Sequence, residues 1–175
     1  MMMNLTCDVI KALKGKTLVT AESCTGGGIG AALTSVPGSS EVFKGGIICY
    51  TNWVKENILE VNPATLKKYG AVSVPVAAEM AFNARLMMDA TIGLSVTGLA
   101  GPGGDEYGNP VGTVCIGYSS HERTFTKQFR FSGDREEVRE HAINAEKSLD
   151  REALILQAIE NTEKITVKYD DEPYL

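Results

Sequence analysis

Glu22, Ser23, Cys24 and Thr25 stand in succession ahead of three glycines, Gly26, Gly27 and Gly28. Within four residues the chain offers a carboxylate, two hydroxyls and a thiol. Ser23 or Cys24 can serve as a nucleophile, because a hydroxyl or thiol activated by a nearby base attacks carbonyl carbon. Glycines let backbone approach a ligand closely, and amides at a helix start attract anions. The same amides can meet the oxyanion of a tetrahedral intermediate. Three uses therefore fit this stretch: a dinucleotide turn, an anion nest, or a nucleophile turn.

The dinucleotide use is the weakest. Gly26-x-Gly28-x-x-Ala31 matches the glycine spacing, but the pattern also asks for an acid about 20 residues on, at the next strand end. The chain carries Tyr50 there. No Gly-Lys-Ser/Thr follows, so a P-loop is absent. A serine nucleophile needs a base, and the two histidines are poorly placed for it. His121 falls in a hairpin turn and His141 two turns into a late helix. A lysine of depressed pKa is the other option. Lys55 is the natural candidate, one turn into a helix that begins after Tyr50. A phenol at Tyr50 can relay a proton between serine and lysine. Cys24 is the rival nucleophile, since helix N-termini lower thiol pKa. Residue chemistry leaves Ser23 and Cys24 both open. Arg135, in Ser132-Gly133-Asp134-Arg135, suits planar contact with phosphate or carboxylate.

These residues need a scaffold, and the pattern around them predicts one. A short helix over 5–14 precedes a strand at about 16–21. A helix after the glycines stops before Pro37. A buried strand follows at 45–50, then a short helix over 53–60 capped by Asn52. Asn62-Pro63 opens another helix that ends at Gly70. Ser73-Val74-Pro75 opens a longer one, 74–90, with Val76, Met80, Ala84 and Met87 as its apolar stripe. Residues 91–97 read as a strand, and a loop rich in Gly and Pro follows at 98–105. Runs at 111–119 and 124–131 read as an antiparallel hairpin. A last helix starts near Arg135 and runs to about 162. Strands and helices alternate until the hairpin. That order predicts an α/β fold: a three-layer α/β/α sandwich with a mixed, mainly parallel sheet. Ligands of such sheets bind beyond the carboxyl ends of the strands. Glu22-Ser23, Tyr50 and Thr97-Gly98 stand at three of those ends.

The chain has 175 residues, enough for one domain with a substantial core. We expect that domain over 1–163, with an acidic tail at 164–175. The net charge is −5, which disfavours a broad nucleic-acid surface. No apolar run approaches a membrane span. The four cysteines are widely spaced, and no basic region followed by an apolar stretch opens the chain. Reduced thiols in a cytoplasmic protein are the expectation, with no disulfide framework and no His/Cys metal site.

Six blocks in order carry a family resemblance: Ala21-Glu22-Ser23-Cys24-Thr25-Gly26-Gly27, Tyr50-Thr51-Asn52-x-x-Lys55, Gly70-Ala71-Val72-Ser73, Val96-Thr97-Gly98-Leu99-Ala100-Gly101-Pro102-Gly103-Gly104, Pro110-Val111-Gly112-Thr113-Val114 and Phe131-Ser132-Gly133-Asp134-Arg135. Together they resemble the CinA C-terminal domain family, whose characterised members are nicotinamide mononucleotide deamidases. The resemblance implies removal of the carboxamide nitrogen of that nucleotide, giving nicotinic acid mononucleotide and ammonia, with no cofactor and no metal. It implies Ser23 as nucleophile, Lys55 as general base and Tyr50 as an assisting group. It points to Thr97 and Arg135 as substrate contacts, together with Cys24, Thr25, Gly26 and Gly27 of the turn and Gly98 of the loop. The 5′-phosphate is expected on glycines 26–28, the 98–104 loop or Arg135. Many family members carry an N-terminal domain, and this chain reads as the stand-alone form. The expected partner is a small-molecule nucleotide, with a homo-oligomeric assembly. The alternative, suggested by the family's association with competence and DNA damage, is a non-catalytic nucleotide-binding or adaptor module.

Overall fold

The computed structural model describes residues 2–145. Helix α1 (Met2–Ala12) leads to strand β1 (Leu18–Glu22), helix α2 (Gly28–Thr34) and strand β2 (Phe43–Ile48). Three helices follow: α3 (Asn52–Asn57), α4 (Pro63–Tyr69) and α5 (Val74–Met87). Strands β3 (Ile92–Gly98), β4 (Thr113–Ser119) and β5 (Thr124–Arg130) complete the sheet. Helix α6 begins at residue 135 and continues through 145. The expected end of that helix and the acidic tail lie outside the described residues.

The sheet order is β2-β1-β3-β4-β5. β1 pairs parallel with both β2 and β3, whereas β4 is antiparallel to β3 and to β5. The sheet is therefore mixed and mainly parallel, in an α/β fold. Alternation along the central strands feeds two apolar layers. Leu18, Leu94, Val96, Val114 and Ile116 join Val9 of α1 and Leu13 just after it, Ile29 and Leu33 of α2, and Val138 and Ala142 of α6. Val19 and Ala21, on the opposite face, join Val76, Met80 and Ala84 of α5 and Leu66 of α4. Burying one such Leu, Ile or Val contributes about 1.5–3 kcal/mol, so each face is held by several independent contacts.

Helix α5 lies very close to the sheet. A Cβ on Gly93 would collide with the Ala81 carbonyl, and one on Gly117 with the Ala77 carbonyl. Ser95 Oγ donates to Ala77 O at 2.6 Å. The helix start, and the residues just before it, are thereby held over the carboxyl ends of β1 and β3.

Local chemistry sets most boundaries. Asn62 accepts from the Ala64 amide at 2.9 Å with Pro63 at the first helical position, and Ser73 accepts from Val76. Three expectations need correction. β2 is an edge strand of alternating half-buried and exposed residues, not a buried one, because only β1 pairs with it. Thr51, not Asn52, caps α3, its hydroxyl accepting from Val54 N. Met87 is 46% exposed, and Met88, just past the helix, packs against the apolar layer instead. No helix among the described residues is long and apolar enough to cross a membrane.

β1 connects to β2 on one side, and β3 connects to β4 on the other. The chain thus diverges between the carboxyl ends of β1 and β3. Open α/β sheets leave a ligand crevice at such a point.

Candidate active site

A cavity of about 450 Å³ opens at that divergence, a size suited to a small organic ligand. Ser23, Cys24, Tyr50, Lys55, Thr97, Gly98 and Arg135 line it, with Asn52, Ala71, Val72 and the 99–104 loop. Seven of the expected site residues are thus brought together from four parts of the chain. No histidine is among the lining residues. His121 contacts Arg85, and His141 stacks on Phe131.

Ser23 stands one residue past β1. Its amide donates to Val96 O at 3.0 Å, extending the β1–β3 pairing by one step. Glu22 pairs with Val96, so Ser23 comes next to Thr97 on the face shared by Ala21 and Ser95. Glu22 points to the other face. This carboxylate is buried and accepts from the Ile29 amide at 3.0 Å and the Gly30 amide at 2.8 Å. It also accepts from Thr25 Oγ1 at 2.7 Å and Thr20 Oγ1 at 3.2 Å. Glu22 therefore takes the orphan amides that α2 would otherwise offer to an anion.

The glycines shape the turn. Gly26 and Gly27 have φ of 60° and 95°, the left-handed region that favours glycine. Gly28 admits Ile143 of α6, whose Cδ1 would sit 2.6 Å from an added Cβ. Thr25, Gly26 and Gly27 lie outside the cavity lining. Thr25 is buried against Glu22, and the two glycines shape the bend.

Lys55 is 1% exposed, the side chain that departs furthest from a surface lysine. Its Nζ donates to Cys49 O at 2.7 Å and lies 2.9 Å from Ser23 Oγ. Among the described residues no carboxylate pairs with it. Burial pushes its pKa below the usual lysine value, with Cys49 and then Cys24 acting in the opposite direction. The nearby Cys49 thiol is pushed up to about 11 by burial, and Cys115 to about 12, so both stay protonated at neutral pH.

Ser23 and Cys24 diverge as neighbours on a turn must. Ser23 Oγ meets Lys55, whereas Cys24 belongs to the apolar layer under α6. Cys24 Sγ sits where an added Cβ on Gly98 would come within 3.1 Å, so Gly98 makes room for the thiol. The four cysteines form no disulfide.

Thr97 is buried and donates its hydroxyl proton to Ala71 O at 2.8 Å. Its oxygen is left to act as an acceptor, not as an oxyanion donor. Tyr50 is 53% exposed at the cavity mouth, where its hydroxyl accepts from Arg135 Nη2 at 2.9 Å. Of the two routes left open for the serine proton, the geometry shows the direct one: Ser23 and Lys55 meet, and the Tyr50 hydroxyl bonds to Arg135. Arg135 Nη1 donates to Gly101 O at 2.6 Å, so this side chain ties α6 to the loop after β3.

The family model of the CinA C-terminal domain matches residues 3–152. The chain belongs to the CinA C-terminal domain family. A CinA-like protein of Thermosynechococcus vestitus is 49% identical over 121 residues, covering 69% of this chain and 29% of that protein. The chain spans about a third of the length of the curated relatives it matches. A solved CinA superfamily protein of Klebsiella pneumoniae superposes with a TM-score of 0.86 at 34% identity, covering 89% of this chain and 99% of the other. One from Escherichia coli gives 0.83 at 35% identity, with 90% of each chain covered.

Sequence reasoning missed three features of this CinA domain. Glu22 was legible only as a carboxylate near a nucleophile, and its capping role needs the fold. Arg139, one turn after Arg135 on α6, donates from Nε to Cys24 O at 3.1 Å and from Nη2 to Thr25 O at 3.2 Å. Its place one helical turn after Arg135 is the signal that could have found it. Tyr107 anchors the 99–112 excursion by donating to Lys67 O at 2.9 Å over Gly70. Among the described residues no cluster of His, Cys, Asp and Glu gathers to hold a metal.

Proposed function

We propose that this CinA domain hydrolyses the carboxamide of nicotinamide mononucleotide, with Ser23 as nucleophile and Lys55 as base. The observation that carries the reading is the buried Lys55 Nζ, 2.9 Å from Ser23 Oγ, with no carboxylate among the described residues to keep it charged. A lysine so placed favours the neutral amine, whose lone pair can take a serine proton.

The chemistry then runs in two halves. Ser23 Oγ gives its proton to Lys55 Nζ and attacks the amide carbon. The resulting ammonium is held by the Cys49 carbonyl. The tetrahedral intermediate collapses, the C–N bond breaks, and Lys55 returns the proton to the departing nitrogen, which leaves as ammonia. Water then attacks the acyl-serine while Lys55 takes its proton. The ester C–O bond breaks, Ser23 recovers the proton from Lys55, and the acid product leaves, giving its remaining proton to solvent as the carboxylate.

Two further features support the substrate. Thr97 Oγ1, committed as a donor to Ala71, can accept an N–H from a carboxamide but offers nothing to a carboxylate oxygen. That asymmetry favours the amide over its product. Arg135 is bonded to two neutral acceptors, Gly101 O and Tyr50 Oη, and no described carboxylate cancels its charge at the cavity mouth. A phosphate is the anion its fork suits. With the α2 amides of Ile29 and Gly30 taken by Glu22, the phosphate falls to Arg135 and the 98–104 loop.

The test is ammonia release from nicotinamide mononucleotide by the purified protein. Ser23→Ala and Lys55→Ala should each lose about 10²–10⁴-fold, the usual reach of a nucleophile or general base. Cys24→Ala should stay near wild type. No release by the wild-type protein would sink the reading and leave a binding module. Loss in Cys24→Ala with activity kept in Ser23→Ala would move the nucleophile by one residue.

A further inference from the structure

The geometry points to Arg139 as the residue that positions the Ser23 turn, by holding the Cys24 and Thr25 carbonyls in one guanidinium fork. This inference rests on Ser23 being the nucleophile. Arg139 does not line the cavity and touches no reacting atom. It acts through the backbone.

The turn needs such a device. Gly26 and Gly27 both adopt left-handed backbone, and glycine has the widest choice of alternatives. Left to itself, a turn hinged on two glycines would sample several arrangements, and Ser23 Oγ would lose its alignment with Lys55. On the upstream side Ser23 is pinned where its amide donates to Val96 O. The other side depends on the peptides that follow.

Arg139 fixes those peptides in sequence. A trans peptide is planar, so orienting a carbonyl also orients the next amide, which points the opposite way. Nη2 on Thr25 O therefore sets the direction of the Gly26 amide. That amide donates to Ser23 O at 3.1 Å and closes the turn on the nucleophile's own peptide. Nε on Cys24 O sets the Thr25 amide in the same manner. The chain of contacts runs from guanidinium to Thr25 carbonyl, to Gly26 amide, to Ser23 carbonyl. Bonds linked head to tail in this way polarise one another.

The charge pattern supports a dedicated clamp. Glu22 takes donors on the downstream side of the bend, the Ile29 and Gly30 amides. Arg139 takes acceptors on the upstream side. Each end of the turn's dipoles thus meets a full charge of the right sign. Arg139 has no carboxylate partner among the described residues, so the two carbonyls are what it is bonded to. Its helix is seated by Val138 and Ala142 in the apolar layer and by Ile143 over Gly28. The fork therefore reaches the turn from a rigid base.

Two variants of the full chain test this, Arg139→Met and Arg139→Lys. Lysine keeps the charge but presents a point donor in place of a fork. The first readout is the rate at which a fluorophosphonate labels Ser23, followed by intact mass across pH. The second is kcat and KM for ammonia release. Both variants should label about 10–100-fold more slowly, the scale expected for a nucleophile displaced by up to an ångström. The pH midpoint of labelling should match wild type, because Lys55 keeps its surroundings. KM should stay within about twofold while kcat falls.

Labelling of either variant within about twofold of wild type would overturn the proposal. So would a shifted midpoint that accounts for the loss, since that is the mark of a generally loosened site. If Arg139→Met melts below the assay temperature, Arg139→Lys carries the comparison alone. Wild-type protein that labels but releases no ammonia refutes the substrate and leaves the Arg139 comparison intact. Wild-type protein that does not label refutes Ser23 as nucleophile and this proposal with it.

Discussion

Replacing Glu22 by Gln changes one atom, and its consequence can be worked from four distances. Oε1 accepts from the Gly30 amide at 2.8 Å and from Thr20 Oγ1 at 3.2 Å. Oε2 accepts from Thr25 Oγ1 at 2.7 Å and from the Ile29 amide at 3.0 Å. A glutamine side chain keeps one oxygen and turns the other into a donor. The threonine hydroxyls can rotate to accept from that donor, but a main-chain amide cannot. In either rotamer one amide of α2 therefore loses its acceptor and faces an N–H. An orphaned buried amide costs about 1–3 kcal/mol. Losing the negative charge at the helix start costs up to about 2 kcal/mol more. Together these destabilise the domain by about 2–4 kcal/mol, or roughly 5–15 °C in Tm for a chain of this size. Urea and thermal unfolding of Glu22→Gln measure it directly. A loss under about 0.5 kcal/mol, the level of an ordinary surface change, would refute the capping role.

Lys55→Met should reduce turnover by about 10²–10⁴-fold. In the fold the lysine pKa lies below its unfolded value, so the unfolded chain binds the extra proton. Wild-type stability therefore rises with pH between the folded pKa and the ordinary value of 10.5, and the Tm difference between variant and wild type, in the variant's favour at pH 7, should shrink over that window. An unchanging difference would contradict a buried, readily neutralised lysine. Turnover by the wild type should rise with pH as the amine loses its proton. Tyr50→Phe should leave kcat within about twofold and raise KM by about 2–10-fold, the worth of one hydrogen bond to Arg135. A hundredfold fall in kcat would restore the relay. Gly98→Ala places a Cβ 2.8 Å from Val114 Cγ2 and 3.1 Å from both Cys24 Sγ and Thr113 O. We expect a loss of about 1–3 kcal/mol, read by urea unfolding, with slower turnover as Cys24 is pushed.

The scaffold was legible wherever its signals are local. Asn62-Pro63 and Ser73-Val74-Pro75 announce helix starts because capping uses residues two or three positions apart. The β1 turn and the hairpin were legible for the same reason. The status of β2 was not, since Ile47 and Ile48 look alike in sequence and only the missing neighbour exposes Ile48. Met87 failed similarly: the stripe keeps its spacing, and the layer beneath it belongs to Met88.

By itself the sequence determined the family, the three-layer order and the residues able to do chemistry at the strand ends. The tertiary structure decided which of those residues meet. Ser23 and Lys55 are 32 positions apart, and no local pattern brings their side chains to 2.9 Å. Nor does a lysine's place on a short helix show that it is buried. Its proton affinity depends on what covers it, and that cover comes from strands and loops distant in the chain. The choice between Ser23 and Cys24, the claim of Glu22 on the α2 amides and the pairing of Tyr50 with Arg135 share this origin. Each is a contact across elements, set by how the layers pack rather than by neighbours along the chain.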